Sequence, residues 1–368
     1  MKEGIIMEQK EKKYSFFYPE SEKEYVKVWK WKISSRLWWT FWAIVCIFCF
    51  FALLKIKASD ERYGPKGTYN YDSIFLHFIS GNVKIRAEAG YIAYEGKVDE
   101  GKVSGTGTLY GQNGNTIYSG EFEDNEYCGM GKLYGENNEI LYEGEFRHNL
   151  YEGEGSEYGI GGTVKYQGMF SMGKRNGKGI LFDDSSNPVY EGNFLNGAIV
   201  YKDFLGKATE EAAKMYRGKR DIYYDTECFV ADMKDIDAMY SGTMSGTGLD
   251  DKVYINKVFV KSESCIIGGK SASCIEEVRE TAGDLVYEGN VNISTEEAVA
   301  LSSLSGLKVE PTFDDAMEIT GYDKNKLLYI YTFRLEKLQY TFYSESANGK
   351  FIMYSIEQLQ DEGKGVNE

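Results

Sequence analysis

The sequence predicts a mainly β protein. It should form an elongated antiparallel sheet of stacked 24-residue β-hairpin units, preceded by one transmembrane helix and followed by a small α+β domain. Three observations carry this expectation. A Tyr-x-Gly core recurs every 24 residues from Tyr94 to Tyr190. An 18-residue run without charge, Leu37–Leu54, lies near the N-terminus. The chain holds 41 glycines against 4 prolines, with 50 tyrosines and phenylalanines, which suits a glycine-punctuated β protein and not disorder or collagen.

With 368 residues, 42% hydrophobic and 27% charged, the chain is long enough for two domains and a sizeable core. The formal net charge of −15 argues against nucleic acid as a partner, because binding to a duplex rests on neutralised phosphates. It also disfavours broad adhesion to anionic lipid. Two histidines leave little material for His-based catalysis or zinc, so no enzyme activity, cofactor or metal is expected. The six cysteines form no framework. Cys46 and Cys49 lie in the apolar run, Cys128 and Cys228 are isolated, and Cys265 and Cys274 are close enough to bridge without anything that fixes their geometry.

Residues 1–36 precede the apolar run and should be cytoplasmic. Leu37–Leu54 approaches the roughly 20 apolar residues that a helix needs to cross a bilayer. Trp29, Trp31, Trp38, Trp39 and Trp42 crowd its start as interfacial aromatics do. A cleaved signal peptide would have a shorter start and a small-residue site directly after the run; here Lys55 and Lys57 intervene. The run is therefore expected to be a retained anchor. Five basic residues before it (Lys23, Lys27, Lys30, Lys32, Arg36) against four after it (Lys55, Lys57, Arg62, Lys66) place the large C-terminal part outside the cytoplasm.

Residues 55–93 should be a linker and the N-terminal cap of the sheet, and 94–200 the repeats. Tyr94, Tyr118, Tyr142, Tyr166 and Tyr190 are followed two residues on by Gly96, Gly120, Gly144, Gly168 and Gly192. Two further on stand Val98, Phe122, Phe146, Phe170 and Phe194. Eleven residues after each of the first four tyrosines a Gly-x-Gly begins, at Gly105, Gly129, Gly153 and Gly177. The fifth copy lacks this half, and Tyr216-Arg217-Gly218 lies near the next phase but two residues late.

The text YEGKV, YSGEF, YEGEF, YQGMF and YEGNF, followed by GTGTLY, GMGKLY, GEGSEY and GKGILF, resembles the MORN repeat (membrane occupation and recognition nexus) over residues 94–197, about 28% of the chain. The resemblance implies hairpins stacked into a continuous sheet. Elementary geometry agrees. Residues i, i+2 and i+4 of a strand share a face, so Tyr142, Gly144 and Phe146 point the same way, and glycine leaves room for a ring to lie flat on the backbone. Turn formers fall between, at Asp124-Asn125, Asn149 and Gly173-Lys174. The repeat tyrosines, glycines and phenylalanines should be scaffold. Within 94–197 there are 17 acidic and 8 basic residues, so the repeat surface suits a protein or peptide partner better than lipid phosphates.

Several motifs fail on inspection. Gly168–Arg175 nearly spells a P-loop, but Arg175 stands where Mg²⁺ needs Ser or Thr. Cys46-x-x-Cys49 sits in the apolar run. His77 lies in SIFLHFIS, read as a strand, and His148 in a solvated turn. Asn292-Ile-Ser294 is a glycosylation sequon, meaningful only in a eukaryotic secretory context. Glu121, Glu123, Asp124 and Glu126 lack a calcium loop's spacing and glycine.

Residues 201–360 should form the α+β domain, and 361–368 a flexible tail. ATEEAAKMYRG (208–218) and STEEAVALSSLSGL (294–307) read as helices, the first capped by Thr209. Strands are expected at 252–260, 284–293, 327–335, 338–344 and 351–357, the last two joined through Asn348-Gly349. GKATEEAAKMY and ISTEEAVALSSLSGLKVEP resemble the opening of PASTA domains, extracytoplasmic wall-binding modules, which adds slightly to the outside placement. The sequence thus points to a membrane-anchored, non-enzymatic scaffold binding a protein partner. The alternative is an envelope-sensing or ligand-binding module in which 201–360 recognise and the repeats space.

Overall fold

The computed structural model describes residues 25–28, 31–58, 67–224, 228–243, 253–280, 285–289 and 329–359. The helix expected at 294–307, the sequon at Asn292, the tail 361–368 and most of segment 1–36 lie outside the described residues. The chain forms two compact units, Met1–Thr116 with Glu121–Asn125, and Ile117–Gly120 with Glu126–Glu368.

In the first unit, β1 (Tyr25–Val28) and β2 (Trp31–Ser34) pair antiparallel and lead directly into α1 (Ser35–Ala58). Its stretch Ser35–Ala52 is long and apolar enough to cross a membrane, as a signal sequence would also be, and none of it is buried. After α1 come β3 (Thr68–Asn70), a 3₁₀ helix (Ile74–Phe78), β4 (Gly81–Arg86), β5 (Ile92–Asp99) and β6 (Lys102–Tyr110). β3 pairs with β4 in parallel, so the sheet is mixed, not purely antiparallel as expected. Residues 71–80 carry the chain back along the sheet edge, which a tight turn could not do. The 3₁₀ helix also replaces the strand read around His77. Leu76 N donates to Ser73 O and Ile79 N to Leu76 O, and the buried residues fall three apart, at Leu76 and Ile79, instead of two.

The repeats continue through β7 (Thr116–Glu123), β8 (Glu126–Tyr134), β9 (Ile140–Arg147), β10 (Leu150–Tyr158), β11 (Val164–Ser171), β12 (Lys174–Phe182), β13 (Pro188–Leu195) and β14 (Ala198–Ile199). Within the second unit, β8 to β14 form an antiparallel sheet whose hydrogen-bonded neighbours follow chain order. The hairpin turns are two residues long with φ positive at both: Glu100-Gly101, Asp124-Asn125, His148-Asn149, Met172-Gly173 and Asn196-Gly197. That is the type I′ geometry, whose twist matches the strands it joins. The fourth, Met172-Gly173, lies one residue before the expected Gly173-Lys174. Each turn also docks on its predecessor's strand: Asn149 N donates to Tyr127 O, Gly173 N to Tyr151 O and Gly197 N to Arg175 O, at 2.9–3.2 Å.

The second unit also holds a separate eight-stranded sheet built from β15 (Arg220–Tyr224), β16 (Cys228–Met233), β17 (Ala238–Thr243), β18 (Tyr254–Val260), β21 (Leu285–Gly289), β22 (Tyr329–Leu335), β23 (Leu338–Ser344) and β24 (Phe351–Gln358). β23 and β24 form the expected hairpin. A small ribbon, β19 (Cys265–Ile267) with β20 (Lys270–Ala272), and helices α2 (Thr209–Met215) and α3 (Ile275–Arg279) complete it. Ala208, not Thr209, caps α2, and no side chain bonds there, so the helix rests on Ala212 and its buried contacts. Cys265 and Cys274 are free thiols.

Candidate interaction surface on the repeat sheet

The two faces of the repeat sheet differ because the tyrosine-glycine pair is one-sided. Tyr118, Tyr142, Tyr166 and Tyr190 are fully buried, with Phe122, Phe146, Phe170 and Phe194 nearly so. Each tyrosine ring lies flat over the second glycine of its own Gly-x-Gly. A Cβ on Gly107, Gly131, Gly155 or Gly179 would fall 2.5–2.6 Å from the ring carbon Cζ of Tyr94, Tyr118, Tyr142 or Tyr166. The ring also covers the glycine of its own strand, since Gly144 pairs with Gly155. The hydroxyl then donates to the carbonyl three residues on: Tyr94 to Lys97 at 2.8 Å, Tyr142 to Glu145 and Tyr166 to Met169 at 3.0 Å. Burial pushes these phenols above their usual range, Tyr166 to about 12, where the Arg175 charge offsets part of the effect.

Stacking from repeat to repeat is edge-on. Tyr94 meets Phe122 at 5.4 Å in the first unit; in the second, Tyr118 meets Phe146, Tyr142 meets Phe170 and Tyr166 meets Phe194 at 4.8–5.1 Å, all near perpendicular. The first glycine of each Gly-x-Gly has a different task. Gly105, Gly129, Gly153 and Gly177 take φ of 53–98°, and the strand register slips beside Gly105, Gly153 and Gly177. They are β-bulges, which only glycine enters without cost.

The other face is open. Between the glycine pairs of β9, β10 and β11 lies a groove of about 700 Å³ floored by Gly144, Gly155 and Gly168. Met130 and Met169 stand exposed at its sides, 56% and 37%. Glu143, Glu154, Ser156 and Lys178 supply its polar groups. Lys132 holds Glu143 by an ion pair of 2.9 Å, which raises the lysine above its usual range. Nothing here forms a nucleophile with a base. The groove offers polar hydrogen-bonding groups and flexible thioethers over a backbone that lacks side chains, which suits an extended chain laid across it.

The MORN repeat family model matches residues 94–116, 118–139, 142–164 and 166–186. These are four MORN repeats. No curated protein matches the chain. Tyr190-Gly192-Phe194, beyond the matched residues, keeps the MORN geometry: Tyr190 is fully buried and its hydroxyl donates to Asn193 O at 3.4 Å.

Three features go beyond the sequence expectations. Tyr127 and Tyr151 stack face to face on Tyr118 and Tyr142 at 3.9 and 3.7 Å, and Arg175 takes the same place over Tyr166 at 4.9 Å. Their 24-residue spacing was the available signal. Tyr216 ends the MORN series despite its two-residue delay. It bridges Tyr190, and its hydroxyl donates to Lys219 O at 3.0 Å and to Asp235. Strands β15 to β17 were unread. His148 is exposed, and its Nδ1 lies 2.8 Å from Glu126 Oε2. The P-loop-like Gly168–Arg175 is an ordinary hairpin around Met172-Gly173.

The second unit contains one further concavity of note, a cleft of about 860 Å³ lined by Arg175 and Tyr201 together with Asp237, Lys261, Cys265 and Tyr354. One wall is thus MORN hairpin and the other the eight-stranded sheet and its ribbon.

Proposed function

We propose that the chain is a single-pass membrane-anchored, non-enzymatic scaffold whose MORN sheet and C-terminal α+β region, residues 201–360, bind a protein partner. One observation carries the reading: the open glycine-floored groove with Met130 and Met169 exposed beside it. A single-residue-type floor gives an extended segment close backbone approach, and methionine adapts to its side chains. The anchor is Leu37–Leu54, retained, with the large C-terminal part outside the cytoplasm, as the basic residues flanking the run favour.

The test is co-purification of the full chain from detergent-solubilised membranes, beside Ser156→Trp. Ser156 lies half-buried on the open face, so tryptophan fills the groove and leaves the tyrosine face alone. A partner lost with Ser156→Trp supports the reading; a partner retained on the filled groove overturns it. The 860 Å³ cleft favours a second reading, an envelope-sensing or ligand-binding module in which residues 201–360 carry recognition and the repeats act as a spacer. There capture survives Ser156→Trp and is lost with Lys261→Glu.

A further inference from the structure

We propose that the 3₁₀ helix Ile74–Phe78 is an apolar foot that beds in the surface of the same bilayer that α1 crosses. The proposal rests on the reading of α1 as a retained span. Ile74, Phe75 and Phe78 are 67%, 47% and 47% exposed, and Tyr71 beside them is 54% exposed. Within Ile74–Phe78 only His77 is polar. So much apolar side chain in eight residues of a water-facing surface marks a contact.

The position of α1 says what the contact is. The uncharged run ends at Leu54, and Phe51 lies three residues earlier, about 4.5 Å of helix rise inside that end. The Phe51 ring sits 4.6 Å from that of Phe78 and 6.4 Å from that of Phe75. If Phe51 is in the last turn of the span, both rings lie at the depth where acyl chains meet headgroups. An interfacial helix buries its apolar face about 5–10 Å into that boundary. Tyr71 is the residue type that belongs at the headgroup level.

The foot is also fixed to the sheet. Leu76 within it and Ile79 just after it are buried, and Gly101 N donates to Ile79 O at 3.1 Å, tying it to the first hairpin turn. A side chain at Gly101 would run into the backbone of Leu76 and His77, so the contact is close. Span and foot together give the first unit two attachments to the membrane, which sets its tilt.

The experiment uses the full chain reconstituted in phosphatidylcholine vesicles. The vesicles are doped with a phospholipid carrying a photoactivated diazirine either near the acyl carbonyl or at the chain end. Adducts are mapped by mass spectrometry. The shallow probe should label 71–78 as well as the end of 37–54, the deep probe should label the middle of 37–54 and spare 71–78, and the polar turn 111–115 should stay unlabelled. Phe75→Ser with Phe78→Ser should leave the 37–54 label unchanged and lower the 71–78 label at least about tenfold, since two rings forfeit their transfer free energy. Labelling of 37–54 without labelling of 71–78, or a foot labelled no more than 111–115, overturns the foot alone. Absence of label on 37–54 overturns the span and the foot with it.

Discussion

Gly144→Val tests the packing argument at the point where it is most constrained. The new Cβ would stand 2.5 Å from Glu154 O, 2.5 Å from Gly155 Cα and 2.7 Å from the Tyr142 hydroxyl. Ordinary carbon contacts lie about 3.5–4.0 Å apart, so something must move by about 1 Å. Two of the three neighbours are backbone of the partner strand. Relief needs β9 and β10 to spread or the Tyr142 ring to leave its seat. Overpacking of this kind costs about 1–3 kcal/mol, and losing a buried aromatic about 3–5 kcal/mol, so the cheaper route sets the bound. Valine's higher strand propensity returns at most about 1 kcal/mol. The net expectation is a loss of about 2 kcal/mol. Glu143→Gln, one residue earlier on the open face, breaks the half-exposed Lys132 pair and should cost no more than about 0.5 kcal/mol. Urea melts of the full chain in detergent, followed by near-ultraviolet circular dichroism, report the loss of packing among the buried aromatic rings. A valine variant as stable as wild type would refute the ring-on-glycine account.

From neutral pH, stability should hold until unfolded phenols ionise, with a midpoint of about 10, and fall towards pH 12 as buried Tyr166, raised to about 12, and its fellow repeat tyrosines stay protonated in the folded chain alone. A phenolate absorbance titration should accordingly show a late group of tyrosines that merges with the rest in denaturant. Tyr151→Leu keeps apolar bulk but removes the 3.7 Å stack on Tyr142, and a denaturant melt should show a loss of about 1 kcal/mol. His148→Val forces a β-branched residue into φ of 50° and should destabilise by about 1–2 kcal/mol, whereas His148→Gly should be neutral within about 0.5 kcal/mol.

The MORN sheet was legible because each unit solves the same packing problem with the same residues. A ring that lies flat on a neighbouring strand admits only glycine beneath it, so Tyr142, Gly144 and Gly155 repeat without drift. The strand LQYTFYS was legible for a related reason: its residues match β23 from end to end. What stayed hidden obeys weaker chemical constraints. The seat over each tyrosine accepts Tyr127, Tyr151 or Arg175, since any flat group stacks there, so the column carries no single letter. The two glycines of each Gly-x-Gly look alike in the sequence, yet Gly153, with its positive φ, makes a bulge. Tyr216 was obscured by a two-residue shift of phase. β16 and β17 carry buried Asp232 and Ser241, polar letters that break the apolar pattern of a covered sheet, and their connection passes through Asp237 in the left-handed region. In SIFLHFIS both the buried Leu76 and Ile79 and the exposed Ile74, Phe75 and Phe78 are apolar, so alternation could not identify the 3₁₀ helix.

Photocrosslinking from the groove tests the central functional claim most directly. The full chain, in its native membrane, would carry benzoylphenylalanine in place of Met130 or Met169, each with and without Ser156→Trp. The account predicts one discrete protein adduct common to both positions, lost when tryptophan fills the groove. No adduct from either position, or an adduct indifferent to Ser156→Trp, would contradict it.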